Sequence, residues 1–195
     1  ISLYWFRRTV SNEILMRQLV NGVALACVTT LACVVVSVPL AVLRAKFRFR
    51  GQGLLGVAVL LPLILPPFVG ALSMKRLLGQ MGVLNILLER IGVFSPGELH
   101  PDWLEMGFLG VAVLQVLHLF PIMYLNASAA LANIDPAYSQ AARNLGAGPV
   151  RTFCRVTLPL MRPGLFAGGT IVFIWSFTDI GTPLILNYQA LVPVT

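Results

Sequence analysis

Charge is scarce in this sequence, and acidic residues are scarcer than basic ones. Charged side chains make up 11% of the 195 residues, with 7 acidic and 14 basic residues, whereas soluble domains average about 25% charged residues. Hydrophobic residues reach 57%, and the mean hydropathy is +0.86. So few charges exclude an ordinary soluble domain, and the composition predicts a membrane protein.

Two kinds of chemical site are also missing. The three cysteines, Cys27, Cys33 and Cys154, have no Cys-x-x-Cys or Cys/His spacing, so neither a metal site nor a cofactor is expected. The chain contains no GxxxxGK[ST] loop, so we do not expect it to hydrolyse ATP.

The net charge of +7 does not indicate nucleic-acid binding, because the basic residues fall mostly in short loops between apolar runs, where they set membrane topology.

Long apolar runs predict the fold class. An apolar helix of about 20 residues crosses a hydrocarbon core about 30 Å thick. The chain has four candidate runs: 19–43, 54–74, 107–131 and 165–187. We therefore predict an all-α polytopic membrane protein with about four spans. In the second run, Pro62, Pro66 and Pro67 remove amide donors, so this span should be broken or kinked and buried against other helices.

Basic loops predict the orientation of the spans. The loop at 44–50 carries four basic residues and no acid, and the loop at 135–163 carries four arginines against Asp135. The positive-inside rule puts both loops in the cytoplasm and the N-terminus outside. Arg7, Arg8 and Arg17 conflict with that orientation. Because the chain begins at Ile1 and stops after an apolar run, we expect a fragment, and a missing upstream helix would resolve the conflict.

The segment 75–105 is slightly acidic, which fits the outer side of the membrane. Apolar residues recur in it at helical spacing: Leu77, Met81, Leu84, Leu88 and Ile91. Polar residues, among them Asn85, take other positions. The pattern predicts a short amphipathic helix on the outer surface.

The basic segment 135–163 contains helix start and stop signals. Asp135 followed by Pro136 predicts an N-cap and a first helical residue. Gly146 and Gly148 should end this helix. Pro149 can open a second short helix, which should stop before Pro159. The product is a cytoplasmic helix, turn and helix with small residues in its middle, which lets another protein approach closely. The alternative is an ordinary solvated loop.

The spacing within this segment resembles the cytoplasmic motif of permease subunits of binding-protein-dependent ABC importers. That motif reads EAA, three residues, Gly, nine residues, Ile, one residue, Leu-Pro. The corresponding residues here are Gln140, Ala141, Ala142, Gly146, Val156, Leu158 and Pro159. Gln140 stands where the family has Glu, and Val156 stands where it has Ile. Gln140 lacks the negative charge of the family's Glu. A hydrogen bond would therefore have to replace any ion pair that this Glu makes with the ATPase.

Three further stretches extend the resemblance over about 19–187 and look like the iron(III) branch of the family. They are LPLILPPFVGAL, VLHLFPIMYLNASAAL and GGTIVFIWSFTDIGTPLIL. The resemblance implies one type I importer transmembrane domain over 1–195, in a bacterial inner (plasma) membrane. It implies coupling helices within 135–163 that dock on a cytoplasmic ABC ATPase. The positions carried over are Tyr138, Gln140, Ala141, Ala142, Gly146, Ala147, Arg151, Val156, Leu158 and Pro159.

The resemblance also implies partners and a cargo. The partners are ABC ATPase subunits, an extracytoplasmic (periplasmic) substrate-binding protein, a second permease half, fused or separate, and the lipid bilayer. Ferric iron is the expected cargo, with thiamine, a phosphonate, sulfate or a polyamine as alternatives. Two rival functions stay open at this point: an integral-membrane enzyme that uses His118 and Asp179, and a channel.

Polar residues within the apolar runs point to a translocation path. A carboxylate at a helix centre costs about 2.5 to 3.5 kcal/mol on insertion scales, so Asp179 should face the protein interior or water. Broken helices often mark transport paths, and we predict that Asp179, His118, Pro66 and Pro67 surround one. The alternatives are a structural contact or helix cap for Asp179 and a satisfied core position for His118. We do not expect these residues to be iron ligands.

Overall fold

A computed structural model describes residues 12–47, 50–64, 67–95, 100–103 and 107–186. Within these ranges every regular element is helical, which confirms the all-α prediction. The α-helices are α1 (Glu13–Lys46), α2 (Gln52–Leu60), α3 (Pro67–Leu78), α4 (Val83–Arg90), α5 (Phe108–Ala132), α6 (Pro136–Asn144), α7 (Pro149–Thr152), α8 (Leu158–Thr178) and α9 (Gly181–Ile185). A 3₁₀ turn, Leu61–Ile64, follows α2, and a π-helical turn, Phe153–Thr157, joins α7 to α8.

The three long helices α1, α5 and α8 pack against one another and form the core. Small residues allow the close approach, as is usual between helices in membranes. A Cβ atom on Gly164 would lie 2.5 Å from the Ala130 Cβ, and one on Gly168 would lie 2.8 Å from the Asn126 Cβ. The outward faces of these helices are apolar as well, with Val35 and Phe166 largely exposed. Helices that are apolar on every face fit a membrane environment.

In the part of the chain that the structure describes, three continuous helices are long and apolar enough to cross a membrane: Glu13–Lys46, Phe108–Ala132 and Pro149–Thr178. A fourth span is possible if Gln52–Ile64 and Val69–Arg90, which meet at 104°, form one broken span. The predicted break in the second apolar run is therefore confirmed. Pro62 lies in the 3₁₀ turn and Pro67 begins α3, while Pro66 lies outside the described residues.

The fourth run, predicted at 165–187, has different bounds. Its helix continues without interruption from Pro149 to Thr178 and ends before Asp179. The prediction that the second short helix stops before Pro159 is therefore wrong. The π turn explains the difference, because the Leu158 N–H bonds to the Phe153 carbonyl five residues back. Pro159 thus follows a point where the ordinary hydrogen-bond ladder is already shifted, so its missing donor does not break the helix.

The predicted amphipathic helix is also not continuous. Helix α3 ends at Leu78, and a turn separates it from α4, which begins at Val83. Asn85, expected on the polar side, is only 1% exposed. Its amide donates to the carbonyls of Gly79, Gln80 and Pro101, and its Oδ1 accepts the Trp103 indole N–H at 2.8 Å. Asn85 thereby stabilises the non-helical backbone on both sides of α4.

Two residues expected in the first basic loop, Arg44 and Lys46, instead lie in the last turn of α1, where positive charge is favourable. The Arg44 guanidinium lies over Gly56 of α2, and its Nη1 donates to the hydroxyl of the buried Tyr124 at 3.0 Å. One basic side chain therefore connects α1, α2 and α5.

Candidate functional site

Two regions hold the residues singled out from the sequence, and the first is the helical hairpin, residues 135–157. The Asp135 Oδ1 accepts the Ala137 N–H at 2.8 Å, which confirms the predicted N-cap. Gly146 adopts φ +79°, and the Ala147 N–H bonds to the Ala142 carbonyl at 3.0 Å. This is the hydrogen-bond pattern of a Schellman helix end, so the predicted stop is confirmed as well.

A residue that sequence reasoning missed fixes the turn of the hairpin. The Thr152 hydroxyl is buried and donates to the carbonyl of Gly148 at 3.0 Å, with the Ala147 carbonyl at 3.4 Å. The first turn of α7 is thus tied back to the chain that leaves α6. A threonine four residues after a glycine is too common a pattern to have identified this contact in advance.

The hairpin exposes an apolar surface. Tyr138 is 58% exposed, Leu145 88% and Val150 74%. A Cβ atom on Gly146 would meet no other atom within 4 Å, so this position is open to a partner. Of the other residues predicted for docking, three are exposed and five are partly buried. The exposed three are Gln140, Ala141 and Arg151, and the partly buried five are Ala142, Ala147, Val156, Leu158 and Pro159.

The second region is a cavity of about 290 Å³ between the broken second run and the long helices. His118 and Asp179 both line it, so the structure brings these two predicted residues together. The broken run contributes Pro62 and Gly70 to the wall. His118 of α5 therefore shares one cavity wall with Pro62 and with Asp179. Pro67 starts α3, three residues before Gly70.

Asp179 does not lie within a helix, as the sequence had suggested, but at the break between α8 and α9. Its backbone is extended, with φ −74° and ψ 104°. The Oδ1 atom accepts the Thr182 N–H at 3.2 Å, and the Oδ2 atom accepts from Gln115 at 3.2 Å. Asp179 therefore makes a local cap and also lines the cavity, two features that the sequence had presented as alternatives.

Gln115, which sequence reasoning missed, joins Asp179 to two long helices. It lies on α5 and is 2% exposed. Its Oε1 accepts from the Thr29 hydroxyl of α1 at 3.1 Å and from the Ser176 hydroxyl of α8 at 2.6 Å. Its Nε2 donates to the Ser176 carbonyl and to Asp179. One glutamine in an apolar run is the only signal that the sequence offers for this network.

The chain matches the sequence profile of a transport family. The profile describes the binding-protein-dependent transport system inner membrane component, and residues 14–192 match it. A probable molybdenum ABC transporter permease protein of Haloferax volcanii is 33% identical over 92% of the chain and 62% of its own length. A putative ferric transport system permease protein of Haemophilus influenzae is 29% identical over 92% of the chain. The chain spans 28% of the length of that second relative.

The fold is similar to that of a solved transporter. A chain in the crystal structure of a bacterial alginate ABC transporter, in complex with an alginate pentasaccharide-bound periplasmic protein, superimposes with a TM-score of 0.73. The match covers 98% of the chain and 67% of the solved one at 20% identity. At this identity the similarity concerns the fold.

Proposed function

Because the chain belongs to the family of binding-protein-dependent transport system inner membrane components, we propose that it forms the membrane-spanning permease of an ATP-driven ABC importer. It is a multi-pass protein of the inner membrane. In the proposed function the permease moves its cargo by alternating access, and a separate cytoplasmic subunit hydrolyses ATP. An extracytoplasmic binding protein delivers the cargo, and a second permease half covers part of the exposed apolar surface.

The helical hairpin carries the proposal. Its apolar side chains at Tyr138, Leu145 and Val150 are exposed, although burying such side chains is favourable by about 1.5 to 3 kcal/mol each for residues of this size. The small residues Ala141 and Gly146 leave room between them for a partner's backbone. A surface of this kind on a structured, capped hairpin suits docking to the ATPase better than it suits a solvated loop, a channel or an enzyme.

Gly146 offers a direct test. Gly146→Trp fills the open space at the turn, so we expect ATP hydrolysis and transport to become uncoupled while the protein stays in the membrane. Gly92→Trp is the matched control, because Gly92 has a similar φ of +78° and the same open space but lies in the turn after α4. The measurement is cargo uptake and ATP hydrolysis in proteoliposomes that hold the full-length complex. Normal uptake by the Gly146 variant would rule out docking through this turn.

The cavity supports a path for the cargo in this proposal. His118, Asp179 and the broken run with Pro66 and Pro67 would line the route, with Asp179 as the charged group on it. Among the described lining residues there is no lysine or arginine. A lining with one carboxylate and one imidazole suits a cation.

Ferric iron is the cargo that we propose on this ground. A second candidate is molybdenum, because a relative named for molybdenum is 33% identical to this chain. Molybdenum dissolves in neutral water as an oxyanion, which would gain nothing from Asp179. Uptake of radioactive iron and of radioactive molybdate, measured in cells with and without the full-length gene, separates the two. Loss of molybdate uptake alone on deletion would refute the iron proposal.

A further inference from the structure

Within the transport function proposed above, we infer that Gln115 is the positioning residue that holds the Asp179 carboxylate toward the cavity so that cargo can pass it. Gln115 is almost fully buried, at 2% exposure, and forms part of the cavity wall beside Asp179. It acts through the Nε2 to Oδ2 hydrogen bond of 3.2 Å. Asp179 supplies the charge, and Gln115 fixes where that charge lies.

The hydrogen bonds around Gln115 determine the orientation of its amide. A carboxylate and a backbone carbonyl can only accept, so the NH₂ group must face Asp179 and the Ser176 carbonyl. The two hydroxyls, from Thr29 and Ser176, then face Oε1. Both amide hydrogens and both oxygen lone pairs are used, so the amide cannot turn away without leaving a buried polar group unpaired.

Within the described residues, the carboxylate that Gln115 holds forms no ion pair with a lysine or arginine, and His118 is the titratable side chain that shares its cavity. Lys75 of α3 donates to the Ile185 carbonyl at 2.8 Å, at the end of α9. Asp179 is partly exposed. Its Oδ1 accepts one hydrogen bond from the Thr182 N–H, and its Oδ2 accepts one from Gln115. The remaining lone pairs of the carboxylate can therefore contact a passing cation.

The experiment uses the full-length permease with its ATPase and binding protein in proteoliposomes, with iron(III) loaded on the binding protein. The quantity measured is iron imported per ATP hydrolysed. Gln115→Met keeps the volume and removes the donor, and we expect the ratio to fall about tenfold, as for loss of a hydrogen bond to a charged group. ATP hydrolysis stimulated by the binding protein should stay within about twofold, because the hairpin is untouched.

Four further variants separate positioning from folding. In Asp179→Asn the iron imported per ATP should fall at least as far as in Gln115→Met, because the charge itself is lost. The double variant should fall no further than Asp179→Asn alone, since Gln115 acts through Asp179. Thr30→Val is the control on the same helix, because the Thr30 hydroxyl bonds to the Ala26 carbonyl, and iron imported per ATP should stay within about twofold of the wild type. Gln115→Glu keeps the shape and the hydroxyl contacts. Relative to the wild type at the same pH, it should fail at about pH 8 and recover at about pH 5.5, where a shared proton restores the donor. The comparison at equal pH is needed because His118 lines the same cavity.

Each result bears on the inference. In Gln115→Met, uptake and ATP hydrolysis could fall together, as they would if folded protein were lost. That result, combined with no recovery of Gln115→Glu at low pH, would overturn the inference. A double variant with multiplied losses, or a Gln115→Met variant with the wild-type ratio, would overturn it as well. A wild-type complex without ATP-driven uptake would instead refute the proposed function, and that result is seen before any variant is made.

Discussion

The helical hairpin and the cavity use polar groups in opposite ways. In the hairpin, polar contacts are local: Asp135 caps α6 two residues away, and Thr152 bonds four residues back. In the cavity they join residues far apart in sequence, such as Thr29, Gln115 and Ser176. The hairpin is thus shaped by its own sequence and leaves its apolar side chains free for a partner. The cavity exists only when the broken run is assembled against α5 and the end of α8.

Helix α8 connects the two regions, and its packing should matter most. A Cβ atom on Gly164 would lie 2.5 Å from Ala130 and 3.2 Å from the Asn126 carbonyl. Gly164→Leu should therefore force α5 and α8 apart and destabilise the protein by about 3 kcal/mol, at the upper end for overpacking. The measurement is the thermal midpoint of the detergent-solubilised protein. Gly169→Ala is the control, because its Cβ meets only ordinary contacts at 3.6 Å and beyond.

Loss of the N-cap should destabilise the hairpin locally. Asp135→Ala removes the acceptor for the Ala137 N–H and should destabilise α6 by about 1 kcal/mol. Amide hydrogen exchange should rise in α6 and stay unchanged around the cavity. Asp135→Ser, which restores a capping oxygen, should return exchange to the original rate. Faster exchange at the cavity in Asp135→Ala would mean that the two regions are not independent.

The two hydroxyl donors to the Gln115 Oε1 should contribute to the free energy of unfolding in a coupled way. Ser176→Ala removes one donor to the Gln115 Oε1, and Thr29→Val removes the other. Each change should cost about 1 kcal/mol in the free energy of unfolding. The double variant should cost more than the sum, because the Oε1 is then buried without a partner. Strict additivity of the two effects, measured by denaturation, would show that the network does not act as a unit.

The smallest effect should come from the turn of the hairpin. Thr152→Val keeps the shape of the buried side chain and removes the hydroxyl that bonds to Gly148. We expect a loss of about 0.5 to 1 kcal/mol, with exchange rising in α7 only. Thr170→Val is a control, since the Thr170 hydroxyl also bonds to a carbonyl four residues back but is exposed on α8. Equal effects at both positions would mean that Thr152 has no special part in the turn.

These contrasts explain which features the sequence could predict. The apolar runs, the N-cap at Asp135 and the stop at Gly146 depend on neighbours within a few residues, so their patterns are visible in one chain. Pro159 was misjudged because the π turn before it is not encoded by a recognisable pattern. Asn85 and Gln115 were missed because their hydrogen-bond partners lie on other elements. The cap that Asp179 makes to the Thr182 N–H is local and was one of the alternatives read from the sequence, whereas its bond to Gln115 depends on the fold.

The most direct test of the central claim is whether the ATPase binds at the helical hairpin. Cys27 and Cys154 are exposed, so both are first replaced by serine. Cysteines placed by Ala141→Cys, in the hairpin, and by Val93→Cys, in the exposed turn after α4, can then be cross-linked to the co-expressed ABC ATPase subunit in membranes. We expect a cross-link from position 141 that changes in yield when ATP is added, and none from position 93. Cross-linking from position 93 but not from position 141 would contradict the account.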